Sequence, residues 1–375
     1  MLLIFVSPER VTRHRRTMER LRRTAAVQAE HVSLSRVRRR AQCARKDWWQ
    51  SEGSRDGFRP DAPASARHAY ALKKLTSLPG VIGEAIHHAA ATRARAIRDG
   101  MRPPSFDTLF TSVRDRLNAA VVSRNTERFL QRPAQTLMLR EVFFGEWPDR
   151  RIPKDLIEET RAKVHVLLGA MLAHPVWDDL ARCGRGEILV CDALDALEIV
   201  VDDAPVRVYA APDLLWISHE RVDVPGFGVP LLPPVVTILD WKTGRSAGHE
   251  EEARQQLAVY AWWASRKLDL PIAPAAFVGR VANLGAALAE DRDRQFVMRP
   301  DDVDRGRQFI ERTAASVVAG RLPDGRVPMD STAQSVEQCR WCSFTPLCFP
   351  ETRTVCHESG GLAGPTQRVA VATSA

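Results

Sequence analysis

The stretch Ile238-Leu239-Asp240-Trp241-Lys242-Thr243-Gly244 is an apolar strand that ends in polar residues. Side chains alternate along a strand, so Asp240 and Lys242 project from one face and Trp241 from the other. A comparable ending lies upstream, where the segment Val206-Arg-Val-Tyr-Ala-Ala runs into Pro212-Asp213. If the two strands are adjacent, Asp213 and Asp240 converge at one end of a sheet. Two carboxylates so placed suit a hard divalent cation such as Mg²⁺ or Mn²⁺, and a nearby ammonium can orient water or offset charge on a phosphate. Taken alone, Asp-x-Lys is a common tripeptide and says little.

Two helical pairs add to it. Gly83-x3-His87 sets a residue without a side chain one turn before an imidazole, which allows close backbone approach and leaves His87 free to reach a metal. Gln256-x3-Tyr260 sets an amide and a phenol on one helix face directly after the Asp240/Lys242 strand.

The surrounding chain reads as helices, then strands, then helix and strand. Ser33 or Ser35 caps a helix through Val37 to Trp49, and a second, longer helical reading runs from about Ala66 to Arg98 with an interruption near Pro79-Gly80. Residues 106–180 carry further helices with breaks at Pro133, Pro148, Pro153 and Pro175. Three strands follow, Glu187–Val200, Val206–Ser218 and Val235–Asp240, separated by Asp202-Asp203 and Pro225–Gly228 and expected to form a meander. Glu250–Leu268 has helical periodicity, Ala275–Ala282 reads as a strand, and Pro300–Gly320 as a helix.

Gly-x3-His, Pro-Asp, Asp-x-Lys-Thr-Gly and Gln-x3-Tyr, in that order, resemble the RecB-like branch of the PD-(D/E)xK nuclease superfamily, over about Ser33 to Cys348. The resemblance implies an α/β fold with an α-β-β-β-α-β restriction-endonuclease-like core and a helical insertion at about 100–180. It implies that His87, Asp213 and Asp240 ligate the metal and that Lys242 assists the attacking water. Gln256 and Tyr260 would position the metal site or the DNA backbone. Asp240 stands where many relatives have Glu, one methylene longer.

Cys339-Arg-Trp-Cys342-Ser-Phe-Thr-Pro-Leu-Cys348 is a C-x2-C-x5-C array, and Cys43 is the natural fourth thiol. Zinc and an iron–sulfur cluster both accept four cysteines, and spacing alone favours zinc. One upstream Cys with a downstream C-x2-C-x5-C resembles the iron–sulfur nucleases of the AddB and CRISPR-associated type, which implies a structural 4Fe-4S cluster joining the two chain ends. Cys183 and Cys191 are expected to be core or incidental thiols, and Cys356 a spare in the tail that could replace a neighbour in a damaged site.

The chain has 375 residues, 45% of them apolar, and a net charge of +8, which excludes an acidic disordered or low-complexity protein. Residues 1–46 hold twelve Arg and one Lys against Glu9, Glu19 and Glu30, an excess larger than that of the whole chain. The stretch Arg13 to Arg23 is either a solvated arm or a nucleic-acid arm. The expected organisation is a basic arm over 1–32, one nuclease domain over 33–351 and a loose tail over 352–375. No apolar run reaches the ~18 residues that cross a bilayer, and Met1–Val6 is too short for a signal-peptide core, so a cytoplasmic protein without membrane contact is expected.

The expected function is a Mg²⁺- or Mn²⁺-dependent deoxyribonuclease, an exonuclease of DNA repair or recombination. With no Gly-x4-Gly-Lys-Ser/Thr loop in the chain, ATP-coupled processing would need a separate helicase subunit. The alternatives are a CRISPR-associated nuclease of spacer acquisition and a non-catalytic iron–sulfur or zinc DNA-binding module.

Overall fold

The computed structural model describes residues 30–123, 125–192, 194–232, 234–244, 250–268, 277–286, 292–319 and 336–349. These fall into two compact units. The first draws on Met1–Ala41, Thr76–Arg124 and Met138–Arg326, the second on Gln42–Leu75, Asn125–Leu137 and Val327–Ala375. Most of the expected basic arm, residues 1–29, and the tail from residue 350 on lie outside the described residues.

The first unit opens with strand β1 (Glu30–Ser33) and helix α1 (Leu34–Gln42), whose first turn is held by Ser33 Oγ accepting the Arg36 N–H at 3.2 Å. Helices α2 (Leu78–Arg98), α3 (Phe106–Val122), α4 (Lys154–Leu172) and α5 (Val176–Arg182) follow. Then come β2 (Ile188–Cys191), β3 (Asp195–Val201), β4 (Ala204–Ala210), β5 (Leu214–Ser218) and β6 (Val235–Lys242). Helix α6 (Glu250–Lys267), β7 (Phe277–Asn283), β8 (Asp293–Met298) and α7 (Pro300–Ala319) complete it.

A five-stranded sheet has the order β8-β7-β6-β5-β2, antiparallel throughout except for the parallel β6/β7 pair. A helix thus precedes the antiparallel run β2-β5-β6, and α6 then carries the chain to β7 beside β6, the crossover that a parallel pair requires. Two of the expected strands are each divided. Glu187–Val200 breaks at Asp192, whose φ of 51° lies in the left-handed region, and Val206–Ser218 breaks before Asp213. The pieces β3 and β4 form a hairpin instead. Its turn residues Asp202 and Asp203 both have positive φ, as a two-residue hairpin turn demands, and β4 pairs in parallel with β1 to make a separate three-stranded sheet. The meander is real, with this hairpin inserted between its first two strands.

Helix α6 lies in the core joining the two sheets. Its residues from Gln256 to Ser265 are all buried, as expected of a helix small or apolar on every side. Leu257 and Trp263 of α6 share one apolar cluster with Val206 and Val208 of β4, Ile238 of β6, Phe277 of β7 and Ile310 of α7. Strand β6 is buried on both faces over Val235–Trp241, which accounts for its unbroken apolar run.

The expected interruption near Pro79-Gly80 is displaced. The helical reading over Ala66–Arg98 resolves into Ala64–Lys73 and α2, and the break falls at Lys74–Ser77 rather than at Pro79-Gly80. Pro79 sits in the first turn of α2, where its missing N–H is no loss, and Ser77 is the cap, accepting the Gly80 N–H at 3.2 Å. Among the described residues no helix is long and apolar enough to cross a membrane.

Helices α6 and α7 meet at Gly306. A Cβ built there would lie 2.5 Å from the Ala258 carbonyl carbon and oxygen, whereas at Gly169 on α4 it would meet nothing within 4 Å. Gly306→Ala should therefore destabilise the fold by about 1–3 kcal/mol, the cost of overpacking. Gly169→Ala should be neutral or stabilising by up to ~1 kcal/mol through helix propensity. Urea unfolding of both variants checks the pair, and equal stability for the two would contradict the close α6/α7 contact.

Candidate active site and cysteine centre

The antiparallel register of β5 and β6 sets Leu214 opposite Leu239, so one residue further it sets Asp213 opposite Asp240. The register of β2 and β5 sets Cys191 opposite Leu214, and the Asp192 N–H donates to the Asp213 carbonyl at 2.8 Å. Asp192, Asp213 and Asp240 therefore stand in a row across three strands. Asp192 is the residue that reading the sequence passed over. Its signal was the same as for Asp213 and Asp240, an apolar strand ending in aspartate, but it lay inside what read as one long strand.

Asp213 is buried and each of its oxygens has one partner: Oδ1 lies 2.9 Å from His87 Nδ1 on α2, and Oδ2 accepts the Trp241 backbone N–H at 2.7 Å. Asp240 is buried too. Its Oδ2 lies 2.5 Å from Lys242 Nζ, and its Oδ1 accepts from Gln256 Nε2 at 2.8 Å. Lys242 also donates to Gln256 Oε1 at 3.2 Å, and Gln256 Nε2 lies 2.9 Å from the Tyr260 hydroxyl. The alternation of β6 and the four-residue spacing of α6 thus bring Asp240, Lys242, Gln256 and Tyr260 into one network, with Asp213 and His87 alongside. Gly83 contributes space: a Cβ there would lie 3.1 Å from Thr243 Oγ1.

The electrostatics follow from burial and neighbouring charge. Burial pushes the Asp240 carboxyl above its ordinary range and the charge of Asp213 adds to this, against the pull of Lys242. Burial drags the His87 imidazole down, but its hydrogen bond and charge pairing with Asp213, helped by Asp240, leave it above its usual value. Asp192 is likewise raised, by burial and then by Asp213. Tyr260 is held as the neutral phenol by burial and by Asp240. A cleft of about 540 Å³ opens onto this end of the sheet, lined by Gly83, Glu84, His87, Arg116, Asp192 and Thr243 among others.

Among the described residues, no group of three or more His, Cys, Asp or Glu side chains stands ready-made around a metal position. The donor set nevertheless suits a divalent cation. A carboxylate oxygen has two lone pairs, so the bonds named above leave acceptor capacity on Asp213 and Asp240, and two buried neighbouring carboxylates favour a cation between them.

In the second unit the helix expected from Val37 to Trp49 is interrupted at Cys43. That residue is extended (φ −163°, ψ 111°) and caps the helix Ala44–Trp48, its Sγ accepting the Lys46 N–H at 3.3 Å. Cys43 lies close enough to Cys339, Cys342 and Cys348 to act on each electrostatically, but among the described residues no three of these thiols stand ready-made around a metal position. Burial raises the thiols of Cys339, Cys342 and Cys348, with Arg45 drawing Cys339 and Cys348 back down. Thr345 Oγ1 ties the loop by donating to the carbonyls of Cys339 at 2.6 Å and Cys342 at 2.9 Å. Four soft thiols fit iron–sulfur or zinc equally in kind. Cys191 is buried in β2, burial pushes Cys183 up to about 11, and Cys356 lies outside the described residues.

Comparison with known families matches residues 31–349 to the model of the PD-(D/E)XK nuclease superfamily. No curated protein matches. Among solved structures, the crystal structure of SSO0001 is 12% identical, with a TM-score of 0.25 and coverage of 52% of this chain and 76% of that one.

Behind the site, the Trp241 ring is stacked on Trp177 at 5.8 Å and meets His174 edge-on at 5.0 Å. His174 Nδ1 accepts the Val176 N–H, which requires the neutral ring; burial and then Arg280 lower its pKa to about 4. The unfolded chain therefore takes up this proton first. The stability that His174 contributes is complete above pH ~6.5 and is lost as pH falls toward 4, roughly 3 kcal/mol in all. Denaturant unfolding at pH 7.5 and 4.5 should show a smaller acid loss for His174→Gln than for wild type; identical losses would contradict the assignment.

Proposed function

The chain belongs to the PD-(D/E)XK nuclease superfamily, and from that premise we propose that it is a divalent-metal-dependent deoxyribonuclease that hydrolyses phosphodiester bonds. The observation that carries the reading is the hydrogen-bonded network of Asp240, Lys242, Gln256 and Tyr260 beside the His87–Asp213 pair, at the adjoining ends of β5 and β6. His87, Asp213 and Asp240 would hold Mg²⁺ or Mn²⁺, which when bound supplies positive charge to a phosphate oxygen and makes water a better nucleophile.

The protein's own groups do the positioning. Lys242 keeps an ammonium beside the place where negative charge grows on the phosphate, a form of preorganised stabilisation that needs no reorganisation during the step. Gln256 fixes both Lys242 and Asp240, and Tyr260, kept as a neutral phenol, anchors Gln256 in turn. Water adds to phosphorus as the P–O ester bond breaks; the attacking water gives up a proton to solvent, and the leaving alkoxide takes one from solvent. We further propose an end-processing role in DNA repair or recombination in the cytoplasm, with a separate helicase subunit as partner. Arg38 of α1, which lies close enough to Tyr260 to act on it electrostatically, is proposed to contact the DNA backbone.

For the second unit we propose that Cys43, Cys339, Cys342 and Cys348 hold a 4Fe-4S cluster with a structural role. Joining Cys43 to Cys339 would close a loop of nearly three hundred residues, and such closure restricts the unfolded chain.

Lys242→Ala should lower Mg²⁺- or Mn²⁺-dependent cleavage of labelled DNA by at least ~100-fold while leaving DNA affinity nearly unchanged. Wild-type turnover in a contaminant-free preparation of that variant would sink the mechanism. For the cluster, anaerobically purified protein should be brown with about four irons per chain. Cys43→Ser should lose the colour and Cys191→Ser should keep it; colourless protein with one zinc and no sulfide would overturn this reading.

A further inference from the structure

Among the described residues, the active-site end of the sheet is poor in free positive charge for an enzyme that must accept a polyanion. Asp192, Asp213 and Asp240 stand in a row there, and Asp192 and Glu84 line the adjoining cleft. Lys242 is committed to Asp240 and Gln256, and Arg95 donates to the Cys191 carbonyl at 3.0 Å. The start of α2 offers nothing to an anion either. The Leu78 N–H goes to Glu141 and the Gly80 N–H to Ser77 Oγ, and Pro79 has none.

Among the described residues, the guanidinium in the cleft wall, beside the imidazoles of His87 and His88, is that of Arg116, reaching from α3 to Glu84. Glu84 is one turn before His87 on α2, so the guanidinium sits within a turn of the catalytic end. Both partners are solvent-accessible, at 39% and 57% exposure, and an ion pair of that kind is weak and readily exchanged. Arg116 Nε is shielded from solvent and, among the described residues, has no acceptor. A phosphate satisfies a guanidinium through paired donors, which an exposed carboxylate in this arrangement leaves incomplete.

We propose that Arg116 is a positioning residue that releases Glu84 and takes up a DNA phosphate flanking the one that reacts. The inference rests on the nuclease reading and adds a substrate contact to it. Glu84 then competes with substrate for Arg116, and its neutralisation should favour binding.

The test uses the full chain and a fluorescein-labelled oligonucleotide, with binding followed by anisotropy in Ca²⁺ over a salt series and cleavage followed in Mn²⁺. Arg116→Ala should raise KM about tenfold with little change in kcat. It should also reduce the slope of log affinity against log salt by ~0.7–0.9, one phosphate contact. Arg116→Lys should recover part of the affinity, and Glu84→Gln should lower KM. If Arg116→Ala fails to fold, Arg116→Gln carries the same comparison. Wild-type KM and salt slope in the alanine or glutamine variant would overturn the proposal, as would a fall in kcat alone. If wild-type protein leaves DNA intact with every divalent cation, the nuclease reading fails, and the salt slope still decides for or against Arg116.

Discussion

The carboxylate of Asp213 ties together parts of the chain that are far apart in sequence. One oxygen meets His87 from α2 and the other accepts the backbone N–H of Trp241 on the neighbouring strand. A buried carboxylate without partners costs several kcal/mol, so these two bonds are conditions for folding. They lock α2 to the sheet and fix the register that sets Asp213 opposite Asp240. The whole arrangement of acid, lysine and glutamine depends on that register, because a slip of one residue would turn Asp240 and Lys242 to the opposite face.

The rest of the first unit can be understood as support for that strand end. Strand β6 is covered on both faces. On the Asp240 side, α6 is buried between the two sheets and brings Gln256 and Tyr260 to the site. On the other side, Trp177 and His174 hold the Trp241 ring, and through it the backbone N–H that Asp213 uses. The proposed divalent cation would draw on the same groups, and Asp240, raised by burial with the charge of Asp213 adding to it, provides the electrostatic reason for one.

Much of this was legible in the sequence, for identifiable reasons. Alternation along 238–244 put Asp240 and Lys242 on one face, and the four-residue spacing of Gln256 and Tyr260 put both on one side of a helix. Pairing was not legible. Nothing local says that the segment after Asp192 leaves the main sheet to pair with Glu30–Ser33, so two strands were read where four exist. Asp192 itself was hidden by its left-handed backbone, which breaks a stretch that reads as continuous apolar strand. Arg116 carried no signal at all, since its place at the cleft depends on how α3 packs against α2. The break at Cys43 likewise depends on a thiol acting as a helix cap, an uncommon role for cysteine.

His87, Asp213 and Asp240 are proposed to form one cation site beside Lys242. Crystals grown with Mn²⁺, measured at a wavelength where manganese scatters anomalously, address it directly. The account predicts an anomalous peak in bonding contact with all three side chains and with no other carboxylate pair of the first unit. A peak elsewhere, or none at saturating Mn²⁺ with the Lys242–Asp240 pair still closed, would contradict it.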